Sequence, residues 1–252
     1  MNIKAVSFTS NFRNYERKSL DNKIKSTSCF TTMFRDDIPW KDFAHYLQTH
    51  FKNSKSVDVI NQACSDGSEP YSFVITLKEE LTSPVSKKFL PVHAYDYDGE
   101  VLKNAAGGKI YFSSVDYPRI GSQGINEGKY FRYKSYDRNL ALHSYEVARS
   151  LGDDVIFKQE NVLDTLKKLP DYKTDCVFMC RNMYPYLSFF EMDEFRRLLC
   201  KKLGIGSVAV FGQYDMQNFG GIISGDLINA GFSYALKTSD CIFVRNLILP
   251  EG

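Results

Sequence analysis

Val57-Asp58-Val59-Ile60-Asn61-Gln62-Ala63 is followed by Cys64-Ser65-Asp66-Gly67-Ser68 and then by Glu69-Pro70-Tyr71: an apolar strand, a small-residue turn and a helix start. Ser68 is the candidate cap, and Pro70 suits a first turn whose amides have no intrahelical partner. Tyr71, Val74, Ile75, Leu77 and Leu81 give this helix its apolar face. Residues 89–95 form the next strand, which ends at Asp96. The segment thus reads as a βαβ unit with a carboxylate at the tip of its second strand. That arrangement suits a nucleoside, because one carboxylate accepts both ribose hydroxyls while the turn approaches the rest of the ligand. The turn has only Gly67. A pyrophosphate needs close backbone approach through several glycines, so a dinucleotide is disfavoured and a nucleoside with a small polar tail fits better.

The same grammar extends in both directions. Upstream, Trp40, Phe43, Leu47 and Phe51 lie on one helical stripe, behind Thr31-Thr32-Met33-Phe34-Arg35. Residues 1–28 are polar and basic, and are expected to be an amino-terminal arm ahead of a domain spanning 29–252. Downstream, a helix over residues 98–106 stops at Gly107-Gly108. Residues 110–136 are rich in Tyr, Phe, Gly and Ser and read as a small β excursion. Within it, Lys129-Tyr130-Phe131-Arg132-Tyr133 is the pattern of a half-exposed hairpin, with base stacking the lesser alternative. A helix near 138–150 is expected to lead into a strand at 155–159, which ends at Glu160-Asn161-Val162. The run Asp175-Cys176-Val177-Phe178-Met179-Cys180 is a buried-type strand that stops abruptly at Arg181-Asn182 and Tyr184-Pro185-Tyr186. A helix at 191–203, a strand at 207–212, a short helix at 223–230 and an antiparallel pair at 232–236 and 241–246 complete an α/β chain with a mostly parallel sheet and a terminal hairpin.

Composition narrows the function. A chain of 252 residues suits one α/β domain, and its formal charge of +2 does not by itself imply nucleic acid or an acidic membrane. No apolar run reaches the roughly 20 residues of a membrane span, and the amino terminus lacks a signal peptide's apolar core, so a cytoplasmic protein with no membrane insertion is expected. Six scattered cysteines are read as reduced and mostly buried. No metal is expected: His45 and His50 sit on different helix faces, His93 and His143 stand alone, and Cys176 and Cys180 have no second ligand pair.

Polar residues collect at successive strand ends: Glu69, Asp96, Asn161, then Arg181-Asn182. Each has a purely structural alternative. Glu69 favours a helix start, Asn161 and Asn182 cap turns, Asp96 terminates a strand, Arg35 makes a surface ion pair and Tyr186 is a packed aromatic. All at one edge of one sheet, they form the wall of a ligand crevice.

With these residues in order, the chain resembles the CheR-type chemoreceptor glutamate methyltransferases. The matching residues are Thr31-Thr32-Met33-Phe34-Arg35, Gly67-Ser68-Glu69-Pro70-Tyr71-Ser72, Asp96-Tyr97-Asp98 with Glu100-Val101-Leu102, Phe157-Lys158-Gln159 with Asn161, and Cys180-Arg181-Asn182 with Tyr186. Phe195-Arg196-Arg197-Leu198-Leu199 matches as well. The resemblance implies a Rossmann-like class I methyltransferase fold with a seven-stranded sheet, and S-adenosylmethionine as cofactor. It implies that Thr31 and Arg35 contact the donor's methionine portion, Glu69 its ammonium end and Asp96 its ribose. Asn161 and Val162 would flank adenine, Arg181 and Asn182 would line the pocket near the sulfonium, and Tyr186, with Arg35, would orient the acceptor. The implied reaction carries a methyl group to a protein glutamate carboxylate, the implied partner being the cytoplasmic helical region of a chemoreceptor.

Several positions depart from the family pattern. Only about 28 residues precede the Thr-Thr segment where the family carries a helical domain. Cys29 stands in place of Asn, Asp66 in place of a small hydroxyl residue, and Gln213-Tyr214-Asp215 where His-Ser-Glu is usual. Two alternatives stay open. Asn182-Met183-Tyr184-Pro185-Tyr186 loosely echoes the Asn-Pro-Pro-Tyr signature of amino-group methyltransferases, in which the Asn receives the amine's hydrogen bonds. A non-catalytic domain that binds the donor and regulates a partner is the other.

Overall fold

The structure, a computed structural model, describes residues 31–138 and 141–248. The expected arm and Cys29 lie outside the described residues. Helix α1 (Trp40–His50) precedes β1 (Asp58–Gln62), α2 (Ser68–Glu80), the one-turn α3 (Ser83–Ser86) and β2 (Val92–Asp96). Then come α4 (Gly99–Ala106), β3 (Lys109–Phe112), α5 (Asp116–Ser122), α6 (Glu127–Tyr130), β4 (Phe131–Asp137) and β5 (Leu142–Val147). The chain continues through α7 (Arg149–Gly152), β6 (Val155–Gln159), α8 (Val162–Lys168), β7 (Cys176–Met179) and α9 (Phe189–Lys202). It closes with β8 (Val208–Val210), α10 (Gln213–Asn229), β9 (Phe232–Leu236) and β10 (Ser239–Arg245).

Seven strands form one sheet in the order β6-β2-β1-β7-β8-β10-β9. The first five are parallel, with Val59 level with Val92 on one side and Val177 on the other. β10 is antiparallel to both β8 and β9. Strands β1 and β7 are apolar on both faces because helices cover both, and two separate buried clusters result. Val59, Val74, Leu77 and Val92 belong to one; Ile60, Phe178, Phe195 and Leu199 belong to the other. The strand order reverses between β1 and β7. Ligand crevices in open α/β sheets lie at such a point, beyond the carboxyl ends of the strands.

Four expectations are corrected. Residues 138–150 are expected to be helical, but β5 runs through the middle of that span and pairs with both β3 and β4. Tyr145 and Val147, whose spacing is that of a strand, are buried there. The β excursion accordingly runs from Lys109 to Val147, beyond the expected limit at 136, and includes α5 and α6. The expected short helix at 223–230 begins ten residues earlier, at Gln213. In its first half the fully buried side chain is Asp215, a polar residue, so little apolar periodicity marks it. Ser68 is not a side-chain cap: Gly67 holds the cap position at φ +89°, and Asp66 Oδ1 accepts the Ser68 N–H at 3.0 Å. Ser68 is fully enclosed as the first helical residue.

Candidate active site

The tight turn after β1 brings backbone amides to Asp96. Ala63 (φ 55°), Ser65 (φ 51°) and Gly67 are all left-handed, and only the glycine is at ease there. The turn is held by Cys64 N–H on Tyr95 O (3.0 Å), Gly67 N–H on Cys64 O (3.0 Å) and Ser65 N–H on Asp96 Oδ2 (2.8 Å). Asp98 N–H takes the other Asp96 oxygen at 2.9 Å. Each carboxylate oxygen keeps a second lone pair, which is what two ribose hydroxyls need. Burial pushes the Asp96 carboxyl above its ordinary range, against the pull of these two amides.

The segment before α1 forms the opposite wall, pinned by side chains from distant elements. Met33 N–H bonds buried Asp116 (2.7 Å), Phe34 N–H bonds Ser72 (2.9 Å) and the Trp40 indole bonds Arg35 O (3.1 Å). Asp37 then pairs with the Arg181 guanidinium, and its other oxygen accepts Gln213 N–H at 2.9 Å. Arg181 also reaches Glu69 at 3.0 Å and lies over the Trp40 ring, 5.4 Å from its centroid. Glu69 in turn accepts from Asn61 at 2.6 Å. Burial works against the Arg181 charge, but Glu69 and Asp37 outweigh it and hold its pKa above the usual value. Burial raises Glu69, with Arg181 and Asn61 opposing.

The loop after β7 makes the third wall. Asn182 is left-handed (φ 53°), and its Oδ1 accepts Tyr214 N–H at 3.0 Å. Asp215, wholly buried, accepts the amides of Asn182 (2.6 Å), Tyr184 (3.0 Å) and Gly212 (3.0 Å). Burial pushes its carboxyl up to about 7, although these three donors pull the other way. Gly212 is required for the approach: a Cβ there would sit 2.2 Å from Asn182 Oδ1. Asp215 thus ties the Asn182–Tyr186 loop to the start of α10.

All nine residues singled out from the sequence line one cavity of about 1130 Å³: Thr31, Arg35, Glu69, Asp96, Asn161, Val162, Arg181, Asn182 and Tyr186. That exceeds the space a drug-sized ligand fills, leaving room for a nucleoside and an acceptor side chain together. Their tasks differ. Asn161 caps α8 through Oδ1, which accepts Leu163 N–H at 2.8 Å, and Val162 is a buried wall beside it. Arg181 is committed to carboxylates, whereas Tyr186 is 51 % exposed at the rim. Arg35 is lowered by burial and by Arg181, with Asp37 and Glu69 acting in the opposite direction.

Sequence reasoning missed Asp37, Arg119 and the clamp formed by Asp215. Arg119 enters from α5 and pairs with Asp36 (2.9 Å) and Thr32, so the excursion contributes to the cavity wall. Asp37 directly follows the Thr31–Arg35 motif, and a carboxylate there was a usable signal. Nothing local marks Arg119.

The residues present fit a sulfonium-bearing nucleoside. Asp96 stands at the strand tip, carboxylates outnumber cations around the cavity, and two lining residues, Gln62 and Arg181, each keep a buried nitrogen (Nε2 and Nε) without a partner among the described residues. Among solved structures, similarity extends to a putative S-adenosyl-L-methionine-dependent methyltransferase from Methanococcus maripaludis (12 % identity, 100 % of both chains, TM-score 0.45). It also extends to an O-methyltransferase family protein from Burkholderia thailandensis (12 % identity, 82 % of this chain and 55 % of that one, TM-score 0.43). PKMT2 from Rickettsia typhi in complex with AdoHcy is a third (15 % identity, 72 % of this chain and 26 % of that one, TM-score 0.35). At these scores the likenesses carry no weight in the assignment. The family described as the CheR methyltransferase SAM-binding domain matches residues 29–217, well over half of the chain. The chain belongs to this family, and its cofactor is S-adenosylmethionine.

Proposed function

We propose that this methyltransferase esterifies a glutamate carboxylate of a protein in the cytoplasm, with the helical cytoplasmic region of a chemoreceptor as the acceptor class. The observation that carries the reading is the posture of Asn182. An amino-group methyltransferase needs an Asn carbonyl free to receive the amine's N–H bonds. Here Tyr214 N–H takes one of that oxygen's two lone pairs and fixes the amide's orientation, so half of its accepting capacity is spent inside the protein while its NH2 donor stays available. A wall of donors (Asn182, the Arg35 guanidinium and the Tyr186 hydroxyl) suits a carboxylate.

The chemistry asks little more of the chain. When bound, S-adenosylmethionine supplies an electrophilic methyl group on a positive sulfur. A glutamate with an ordinary pKa near 4.3 is already ionised at neutral pH, so no general base is required. The residues' work is alignment and partial desolvation, and good positioning can lower a barrier by roughly 7–11 kcal/mol. Arg35 and Tyr186 hold the acceptor carboxylate, Asp96 and Glu69 fix the donor's two ends, and the Asp215 clamp keeps the acceptor loop from drifting.

Incubation with methyl-tritiated donor and a chemoreceptor cytoplasmic fragment tests this. Label released as methanol at mild alkaline pH is the expected result. Base-stable label on an amine of protein or nucleic acid would overturn the carboxylate assignment, and donor binding with no transfer to any of these acceptors would favour the regulatory alternative.

A further inference from the structure

Two phenylalanines stand almost bare beside the cavity. Phe189 and Phe190 are 79 % and 84 % exposed, and their rings meet edge to face at 6.2 Å. Single exposed apolar residues need no explanation, but an adjacent aromatic pair does. On α9 the buried stripe is Phe195, Leu198 and Leu199. With 3.6 residues per turn, Phe189 and Phe190 point roughly 120–140° away from Phe195, so they serve no internal packing.

Their position is fixed. Tyr186 and Leu187 on one side and Glu191 on the other line the cavity. The Ser188–Glu191 capping box locks the turn that carries the pair, with Glu191 Oε2 accepting Ser188 N–H at 2.7 Å and Ser188 O–H at 2.6 Å. The pair is thus flanked in sequence on both sides by residues that line the cavity, and rigid display lowers the ordering cost of binding.

We propose that Phe189, Phe190 and Tyr186 are the docking surface for the methyl-accepting polypeptide, taking an apolar side chain close in sequence to the methylated residue. This rests on the polypeptide acceptor proposed above. Charge selects that partner. Along α9 stand Glu191, Asp193 and Glu194 against Arg196 and Arg197, with Lys201 and Lys202 at the far end paired to Asp171. Arg196 is engaged by Asp226 and Asp193, and Glu194 by Lys167. A nucleic acid needs an excess of cations along its path, which this near-neutral mixture does not offer. An aromatic centre within a mixed-charge rim is the composition of a protein–protein contact.

The test uses two synthetic 15-residue peptides with one central Glu in an Ala-Lys-Gln frame. One carries Leu three residues to either side; the other carries Ser there. Binding is read by fluorescence anisotropy in the presence of S-adenosylhomocysteine. The wild type is expected to bind the Leu peptide at least about tenfold more tightly. The Phe189→Ser/Phe190→Ser variant should lose that preference while keeping its melting temperature and its S-adenosylhomocysteine affinity. Equal binding of the two peptides by the wild type, or an unchanged preference in the variant, overturns the proposal. So does weakened binding of a 20-nucleotide RNA by the variant, or conversion of a wild-type dimer to a monomer, which would assign the rings to nucleic acid or to a second copy. Because binding is measured without transfer, a Phe-dependent preference with no base-labile ester on the Glu would retain the docking surface and sink only the carboxylate chemistry.

Discussion

Replacing Asp96 by Asn changes one oxygen to NH2 at the point where two backbone N–H donors and the two expected ribose hydroxyls converge. In the native site the carboxylate takes Ser65 N–H at 2.8 Å and Asp98 N–H at 2.9 Å, leaving one lone pair on each oxygen for the ribose. An amide has a single acceptor oxygen. One backbone N–H then faces an NH2 group, one ribose hydroxyl loses its acceptor, and the surviving contact loses its charge. Hydrogen bonds to charged groups contribute about 1.5–3 kcal/mol each, so the loss on binding is about 3 kcal/mol, or roughly 100-fold in Kd. Calorimetry with S-adenosylhomocysteine measures it directly. Repeating the titration with the 3′-deoxyribose analogue closes a double-mutant cycle: the wild type should lose affinity for that ligand, and Asp96→Asn should lose much less. pH gives a second reading. The ionised form is the acceptor, and burial raises its pKa, so donor affinity should begin to fall on acidification above the range where an ordinary aspartate titrates. A folded Asp96→Asn protein whose affinity stays within threefold of wild type, or a cycle in which the two losses simply add, would refute the ribose assignment.

Tyr186→Phe removes a hydroxyl at the cavity rim and no packed surface. Turnover should fall by about 5–30-fold, the worth of one oriented hydrogen bond, with S-adenosylhomocysteine affinity nearly intact; an unchanged kcat removes Tyr186 from the mechanism. Asp215→Asn tests the loop clamp through pH. Burial raises the folded-state pKa of Asp215 to about 7 from an ordinary 3.8, so the native protein holds this proton more tightly than the unfolded chain. That contribution is fully present below pH 4 and is lost as pH rises through 7. The stability gap between wild type and Asp215→Asn, measured by thermal unfolding at pH 5 and pH 8, should therefore shrink at the higher pH. A gap that widens would mean that the three amide donors dominate and the carboxylate is ionised throughout.

The legible parts of the chain were those written in local chemistry. The βαβ unit announced itself because an apolar run, a small-residue turn and a Pro-bearing helix start occupy fifteen consecutive positions, from Val57 to Tyr71. Residues at strand ends were found for the same reason: topology brings every parallel strand's carboxyl end to one edge. What escaped was set by distant partners. β5 reads as helix in the sequence because its alternation has meaning only against β3 and β4, strands that the sequence does not show to be adjacent. The start of α10 lacks an apolar stripe, because the side chain it buries fully is Asp215. Arg119 reaches the cavity only because α5 packs near the Thr31–Arg35 segment, and Asp215 matters through three amides, of which those of Asn182 and Tyr184 lie more than thirty residues away.

On the proposed carboxylate chemistry, which needs no general base, the buried charges around Arg181 take on a positioning task. Asp37, Glu69 and Arg181 come from the segment before α1, from α2 and from the β7 loop, with sequence separations of 144 and 112 residues. A buried ion cluster is weak evidence for stability, since desolvation offsets much of the attraction, and well-packed apolar replacements are often as stable. Its geometry is another matter. Losing one partner strands a buried charge, so the three segments hold one spacing or none. Asp37 adds α10 through Gln213, and Asp215 ties the same helix back to Asn182. The walls on either side of the cavity are therefore braced against each other through one charged knot. For an in-line displacement that depends on alignment rather than proton transfer, this is where the chain's investment in buried polarity is expected to lie. Asp36 with Arg119 extends the brace to the β excursion, so movement there reaches Thr32, adjacent to the Thr31 that lines the cavity.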